Sequence, residues 1–228
     1  MVDRMDQGIG RVLQALDKTG VANNTVVMFL SDNGGCATWP GRRKGQVEGF
    51  IKYNQGVRVG DGRGYEFVGK GWGWAQNAPF RQFKTWTYEG GIATPMIVRW
   101  PGKGAAGSIT HQVGHIIDFM PTLLELAASE YPDSFDGKAI LPLEGRSLLP
   151  IFHGKKRDGH ESLSWELYGN RAIRQGDWKL VWGASEKTWE LYNLKSDRSE
   201  TQNLAAKYPE RVTAVSYTHL TLPTNREV

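Results

Sequence analysis

The chain has 228 residues, with 28 Lys and Arg against 24 Asp and Glu, a formal net charge of +4. That length buries the core of one large domain or one and a half smaller ones, and no run approaches the roughly 20 apolar residues that span a bilayer. The single Cys36 excludes an intrachain disulfide and a cysteine-rich zinc site, and the basic residues are scattered except at Arg42-Arg43-Lys44 and Lys155-Lys156-Arg157, which read as solvated loops and not as a nucleic-acid surface.

In chain order, Val2, Met5, Ile9, Val12, Leu13 and Leu16 follow helical spacing and Gly20 is placed to end that helix. The helix is already running at residue 1, and a buried strand follows it at once. The chain is therefore expected to start inside a larger domain, without a visible export signal. Val26-Val27-Met28-Phe29-Leu30 predicts a strand covered on both faces, of the kind found in parallel sheets.

Ser31-Asp32-Asn33-Gly34 follows it, with Gly35 next. Two readings stand for this stretch. Carboxylate and amide oxygens suit calcium or magnesium, and ligands of α/β sheets gather at the carboxyl ends of strands. Ser, Asp, Asn and Gly are also ordinary turn residues, and an Asx turn closing the strand needs no metal.

Residues 34 to 82 are rich in Gly, Arg, Lys and aromatics without clear periodicity, which predicts a long irregular excursion that builds a binding surface. Order returns at Phe83. Lys84 precedes Tyr88-Glu89-Gly90-Gly91-Ile92 and a second buried strand, Pro95-Met96-Ile97-Val98-Arg99-Trp100, stopped by Pro101-Gly102. A lysine there is either a solvated surface group or a point charge for a tetrahedral oxyanion. A helix is predicted from Asp118 to Ala128, capped by Asp118, with Phe119, Leu123, Leu124 and Leu126 facing inward. Strand, loop, strand, helix is α/β grammar.

After a Pro- and Gly-punctuated stretch from Tyr131 to Gly159 the pattern changes. Arg171-Ala172-Ile173-Arg174 and Trp178-Lys179-Leu180-Val181-Trp182 flank Gln175-Gly176-Asp177 as a hairpin, and Trp189 to Leu194 reads as a third strand. A small antiparallel sheet thus closes the chain. A helix is predicted from Pro209 to Val215, after which Ser216 to Val228 loses periodicity and reads as a non-native or disordered tail.

In combination these blocks are specific. The apolar strand ending in Ser31-Asp32-Asn33-Gly34, then Lys84 before Glu89-Gly90-Gly91 and the Pro95 strand ending in Trp100-Pro101-Gly102, resembles the type I sulfatases of the alkaline-phosphatase-like superfamily. Asp118-Phe119-Met120-Pro121-Thr122-Leu123-Leu124, Gly145 to Pro150, Trp178-Lys179-Leu180 and Glu190 to Leu194 look like the family's carboxy-terminal half, so the resemblance covers Met1 to Val215.

The resemblance implies an α/β fold, a partial alkaline-phosphatase-like sandwich with a central mixed sheet and flanking helices, plus the small C-terminal antiparallel sheet. It divides the chain into residues 1–160 of the catalytic domain, a subdomain at 161–215 and the tail 216–228. It carries Asp32 and Asn33 over as calcium ligands and Lys84 as the sulfate-contacting, catalytic lysine. It implies a sulfate-ester substrate, either an aryl sulfate or a sulfated glycan, calcium as cofactor, a formylglycine nucleophile made from an encoded Cys or Ser, and a periplasmic or secreted enzyme.

The departures are as informative. No Cys or Ser is followed by x-Pro-x-Arg; Cys36-Ala37-Thr38-Trp39-Pro40 has its proline two places too late, and Cys36 reads as an unmodified loop cysteine. The paired aspartates, histidine and lysine that the family carries upstream are also absent. Asp118 and Glu89 are read as a helix cap and a turn-positioning residue. His115 reads as a packing or capping residue, and none of His111, His153, His160 and His219 shows a partner in the sequence. Two ligands hold calcium poorly where six to eight are normal, so the chain alone is expected to be inactive. Two rival readings remain: a phosphatase or phosphonate monoester hydrolase of the same superfamily, and a non-enzymatic protein whose Trp72, Trp74, Trp39 and Trp86 stack on sugar rings.

Overall fold

The computed structural model describes residues 2–39, 41 and 45–221; Pro40, the Arg42-Arg43-Lys44 run and residues 222–228 of the predicted tail lie outside the described residues. In chain order the elements are α1 (Val2–Lys18), β1 (Val27–Leu30), α2 (Gln46–Tyr53), α3 (Gly69–Asn77), α4 (Glu89–Ile92), β2 (Met96–Arg99), α5 (Phe119–Leu126), β3 (Ser134–Phe135), β4 (Lys138–Ala139), α6 (Leu149–Phe152), β5 (Leu163–Leu167), β6 (Asn170–Gln175), β7 (Trp178–Gly183), β8 (Thr188–Asn193) and α7 (Pro209–Thr221). They gather into two compact units, Met1–Leu30 with Met96–His160 and Ser31–Pro95 with Glu161–Val228.

In the first unit α1 ends as its spacing predicts, with Gly20 at φ 72° and the Val21 N–H donating back to Leu16 O at 3.1 Å. Its stripe is only partly covered: Ile9, Leu13 and Leu16 are half-buried, whereas Val2, Met5 and Val12 are exposed. The strand β1 does not have the parallel, doubly covered setting predicted for it. It pairs antiparallel with β2 from Val27↔Arg99 to Leu30↔Met96, and Phe29 and Ile97 remain 41% and 64% exposed. An apolar run records a preference for apolar cover on both faces, but the direction of the neighbour follows from the path of the connection between the strands.

The predicted helix after Asp118 is present as α5, entered through a 3-10 turn at Ile116–Asp118. His115 caps that turn, its Nδ1 accepting from the Ile117 N–H at 3.4 Å. Leu123, expected inside, is 48% exposed. Thr122 takes the buried position: its hydroxyl donates to Asp118 O and accepts from the Leu148 N–H at 2.8 Å, tying α5 to the segment that opens α6.

In the second unit β5-β6-β7-β8 form a four-stranded antiparallel sheet. The hairpin of β6 and β7 closes at Gln175↔Trp178 around Gly176-Asp177, with Gly176 at φ 57°, the left-handed geometry a two-residue hairpin turn requires. The sheet buries both faces. Ile173, Leu180 and Leu191 pack against Val212 and Val215 of α7, and Ala172, Val181 and Tyr192 pack against Tyr88 and Trp86. The strand β5 was not predicted, although Leu163, Trp165 and Leu167 alternate strictly with polar residues. The helix α7 runs through Thr221, past the predicted stop at Val215, because no helix breaker intervenes before Pro223. The excursion from residue 34 is also less irregular than predicted, since α2 and α3 lie within it.

Candidate functional site

The three residues singled out from the sequence lie on loops of the second unit, and backbone hydrogen bonds bring those loops together. The Gly34 N–H donates to Gly91 O at 3.0 Å, and the Lys84 N–H donates to Gly35 O at 3.1 Å. The Gly35 N–H donates to Asn77 Oδ1 at 2.8 Å, which adds the end of α3 as a third anchor. Ser31 folds the loop from its other side, its hydroxyl donating to Asn33 O at 2.8 Å. Close approach explains the glycine here: a Cβ on Gly34 would overlap the Gly90 carbonyl oxygen and sit 2.9 Å from Asn77 Oδ1.

The side chains behave differently from the backbone. Asp32 and Lys84 are exposed, Asn33 is half-buried, and none of the three side chains has a hydrogen bond or ion pair among the described residues. An Asx turn requires an Asp or Asn side chain bonded to the backbone two residues on, and neither side chain makes that bond. A loop anchored by backbone hydrogen bonds thus presents two hard oxygen donors, and a neighbouring loop presents an ammonium with no counter-ion among the described residues. In kind the oxygens suit calcium; in number they are two of the six to eight it takes. Among the described residues no three His, Cys, Asp or Glu side chains converge to hold a metal. Cys36 is exposed, with its sulfur 2.9 Å from the Thr38 hydroxyl.

Lys84 differs from its neighbour Arg81, whose guanidinium is already engaged. Arg81 Nη1 lies 3.1 Å from Glu190 Oε2 and donates to Tyr192 Oη, and Arg81 Cζ sits 4.4 Å from the centroid of the Tyr88 ring. Tyr88 and Tyr192 both donate to Glu190. Burial and the Glu190 carboxylate push both phenols above their ordinary range, so they remain protonated donors.

Behind the Glu89-Gly90-Gly91 turn lies a buried ion cluster that the sequence reading missed. Lys179 is fully buried on β7 and its Nζ lies 2.9 Å from Glu89 Oε1 and 2.8 Å from Glu200 Oε1. The second of these contacts lies off the line of a hydrogen bond, leaving Glu200 Oε1 with the ion contact alone. Arg198 reaches Glu89 Oε2 at 3.2 Å, and the Glu89 N–H donates to Glu200 Oε2 at 2.6 Å. Burial pushes the Glu89 carboxyl up, but Lys179 and Arg198 outweigh it and hold the group below its ordinary range. Glu200 shares Lys179 and has no arginine of its own, and burial carries its carboxyl above the ordinary range. A lysine on the inward face of an apolar strand was the available signal.

A second cluster, within the first unit, corrects the expectation that His160 and His153 are unpartnered. The fully buried Asp118 accepts from the His115 and Arg146 N–H groups at 2.9 and 2.8 Å, and from Arg157 Nη2 and His160 Nε2, each at 2.7 Å. Four donors fill a carboxylate's acceptor sites, so Asp118 is a structural hub; it stands at the N-cap position of α5, as predicted, but its side chain makes no capping bond to that helix. His153 Nδ1 lies 2.8 Å from Lys103 O. Burial pushes His115 below its ordinary pKa.

Comparison with known proteins adds an independent line. The profile described as "Sulfatase" matches residues 1–129, and that described as "N-sulphoglucosamine sulphohydrolase, C-terminal" matches residues 80–221. The chain is 35% identical over 227 residues to an uncharacterized sulfatase of Schizosaccharomyces pombe, covering 92% of this chain and 40% of that protein. Among solved structures it resembles Ps i-CgsB in complex with k-i-k-neocarrahexaose, with a TM-score of 0.71 and 23% identity over 100% of this chain and 42% of that one. It also resembles a phosphonate monoester hydrolase from Silicibacter pomeroyi, with a TM-score of 0.58 and 21% identity over 94% of this chain and 38% of that one. These likenesses establish the alkaline-phosphatase-like α/β fold, of which the chain covers a part. No helix among the described residues is long and apolar enough to cross a membrane.

Proposed function

From the premise that this chain belongs to the sulfatase family, we propose that the complete protein hydrolyses sulfate esters and that Asp32, Asn33 and Lys84 form one wall of its active site. The observation that carries the proposal is the pairing of the loop after β1 with the Lys84 loop by the Lys84 N–H···O=C Gly35 bond, while the side chains of Asp32, Asn33 and Lys84 have no hydrogen bond or ion pair among the described residues. In this reading Asp32 and Asn33 hold part of the coordination sphere of calcium, which when bound would neutralise charge on the sulfate oxygens. The remaining ligands, and the formylglycine nucleophile that the family resemblance implies, would come from outside this chain's residues.

The chain's own part is to bind and orient. Lys84, with no counter-ion among the described residues, offers three N–H donors to a sulfate oxygen, and its charge becomes more valuable as negative charge builds on that oxygen during bond cleavage. Arg81 does not share this task, because Glu190 and Tyr192 hold it. The substrate class is a sulfated sugar in preference to an aryl sulfate: the matched C-terminal profile is that of a sulfated-sugar hydrolase, and Trp39 and Trp72 stand exposed on segments that adjoin Gly35.

In the complete protein, Asp32→Ala and Lys84→Ala should each lower turnover of a sulfated monosaccharide at least about a hundredfold, the cost of losing one charge-stabilising group. Near-normal turnover in either variant would overturn the assignment. A preference for phosphate or phosphonate esters over the matched sulfate ester would transfer the same residues to the rival chemistry.

A further inference from the structure

The geometry points to the buried Glu89, Lys179 and Glu200 cluster as a positioning device for the candidate metal loop, through which the C-terminal sheet sets the affinity of Asp32 and Asn33 for calcium. This rests on the reading of Asp32 and Asn33 as metal ligands.

The cluster is costly for what it contributes to stability. Taking an ammonium and two carboxylates out of water carries a penalty of several kcal/mol per ion, and apolar residues of similar volume would hold a sheet face at least as well. Its effect is instead to fix one peptide. Glu89 is gripped at its side chain by Lys179 and Arg198 and at its own N–H by Glu200 Oε2. Lys179 belongs to the middle of β7, paired with Arg174 on one side and Tyr192 on the other, so the grip has the rigidity of the sheet.

The path from that peptide to the loop is short and made of backbone. Gly90 follows Glu89 and its N–H donates to Arg81 O at 2.8 Å; Gly91 follows and its carbonyl accepts the Gly34 N–H. Gly34 is the residue after Asn33, and it approaches Gly90 so closely that a Cβ would overlap the Gly90 carbonyl oxygen. A second tie runs in parallel: Arg81 is moored to Glu190 and Tyr192 of β8, and three residues later the Lys84 N–H holds Gly35 O. Both loops of the candidate site therefore hang from the same face of one sheet. Glu200 and Lys179 touch neither Asp32 nor Lys84, and they act on the site only through these backbone bonds.

The test uses the metal-free complete protein, calcium titration and backbone amide hydrogen exchange. Glu200→Ala removes the acceptor for the Glu89 N–H and is expected to weaken calcium binding at least about tenfold and to speed exchange of the Gly34 amide by a similar factor over and above any change in the β6 and β7 amides. Glu200→Gln keeps an acceptor oxygen and is expected to stay within about threefold of the parent on both measures. Unchanged calcium affinity and Gly34 exchange in a folded Glu200→Ala protein would overturn the inference. Should that variant not fold, the parent protein decides: in low denaturant the Gly34, Glu89 and Leu180 amides should open together with one denaturant slope, and independent opening of Gly34 overturns the coupling. Asp32→Ala separates the two readings, since it should abolish calcium binding while leaving Gly34 exchange as in the parent. Retained calcium binding in Asp32→Ala would remove the ligand assignment, and the exchange measurements would still judge the mechanical link.

Discussion

Replacing Lys179 with Met keeps the packing of its stem and deletes its charge. At an effective dielectric of about 20, contacts of 2.9 and 2.8 Å each represent about 6 kcal/mol of gross attraction, most of it offset by desolvation of the ammonium. What remains after the change is two buried carboxylates, one with the half-exposed Arg198 and one with a single N–H donor. Deleting one partner of a buried ion set costs about 3–5 kcal/mol, and that loss is expected at pH 7 by urea denaturation followed through the sheet tryptophans. The loss has a ceiling, because Glu200 escapes by taking a proton. Its carboxyl already lies above the ordinary range with Lys179 present, and it rises further without it. A group whose folded pKa exceeds its unfolded value binds more protons when folded, so its effect on stability becomes less favourable as pH rises through that folded pKa. The deficit of Lys179→Met should therefore shrink between pH 7 and pH 5 by at least about 1 kcal/mol. A loss under about 1 kcal/mol at pH 7, or a larger loss at pH 5 than at pH 7, would refute this account of the cluster.

Glycine substitutions separate close approach from mere composition. Gly34→Ala forces a methyl group into the Gly90 carbonyl and should cost about 1–3 kcal/mol or more, whereas Gly10→Ala, inside α1 with nothing within 4 Å, should raise stability by about 0.5–1 kcal/mol in thermal melts. Asp118→Asn should lower stability by about 3 kcal/mol near neutral pH, since it unbalances the buried Arg157 contact. Burial pushes the Asp118 carboxyl up but its four donors outweigh this and hold it below its ordinary range. Its stabilising effect is thus present above the unfolded carboxyl pKa and lost as pH falls through the folded value, so parent and Asp118→Asn should converge below about pH 4. Calorimetric titration of the 228-residue chain with calcium should show no submicromolar site; a tight site would mean that further ligands exist in it.

Particular elements show where sequence patterns are decisive. α1, the hairpin at Gly176-Asp177 and the strand β2 were legible because local periodicity and turn chemistry set them, and those act over a few residues. Leu123 was misplaced because helical spacing identifies an apolar stripe without saying what stands opposite it. The strand β5 carried its signal in the alternation of Leu163, Trp165 and Leu167, whereas α3 was hidden by its glycines. The partners of His160 and Lys179 were hidden for a different reason: Asp118 is 42 residues from the one and Glu89 is 90 from the other, and nothing local marks either pairing.

The residues themselves determined the α/β class, the closing antiparallel sheet and the candidate donors Asp32, Asn33 and Lys84, because apolar period, turn residues and ligand chemistry are properties of short segments. Only the tertiary structure decided that β1 and β2 run antiparallel, that the Asp32 and Asn33 side chains are not spent closing a turn, and that Gly35 and Lys84 meet. It also revealed that a buried Lys179 holds the Glu89 peptide behind them. Such facts depend on which distant segments share a surface, and that is settled by the packing of the whole chain.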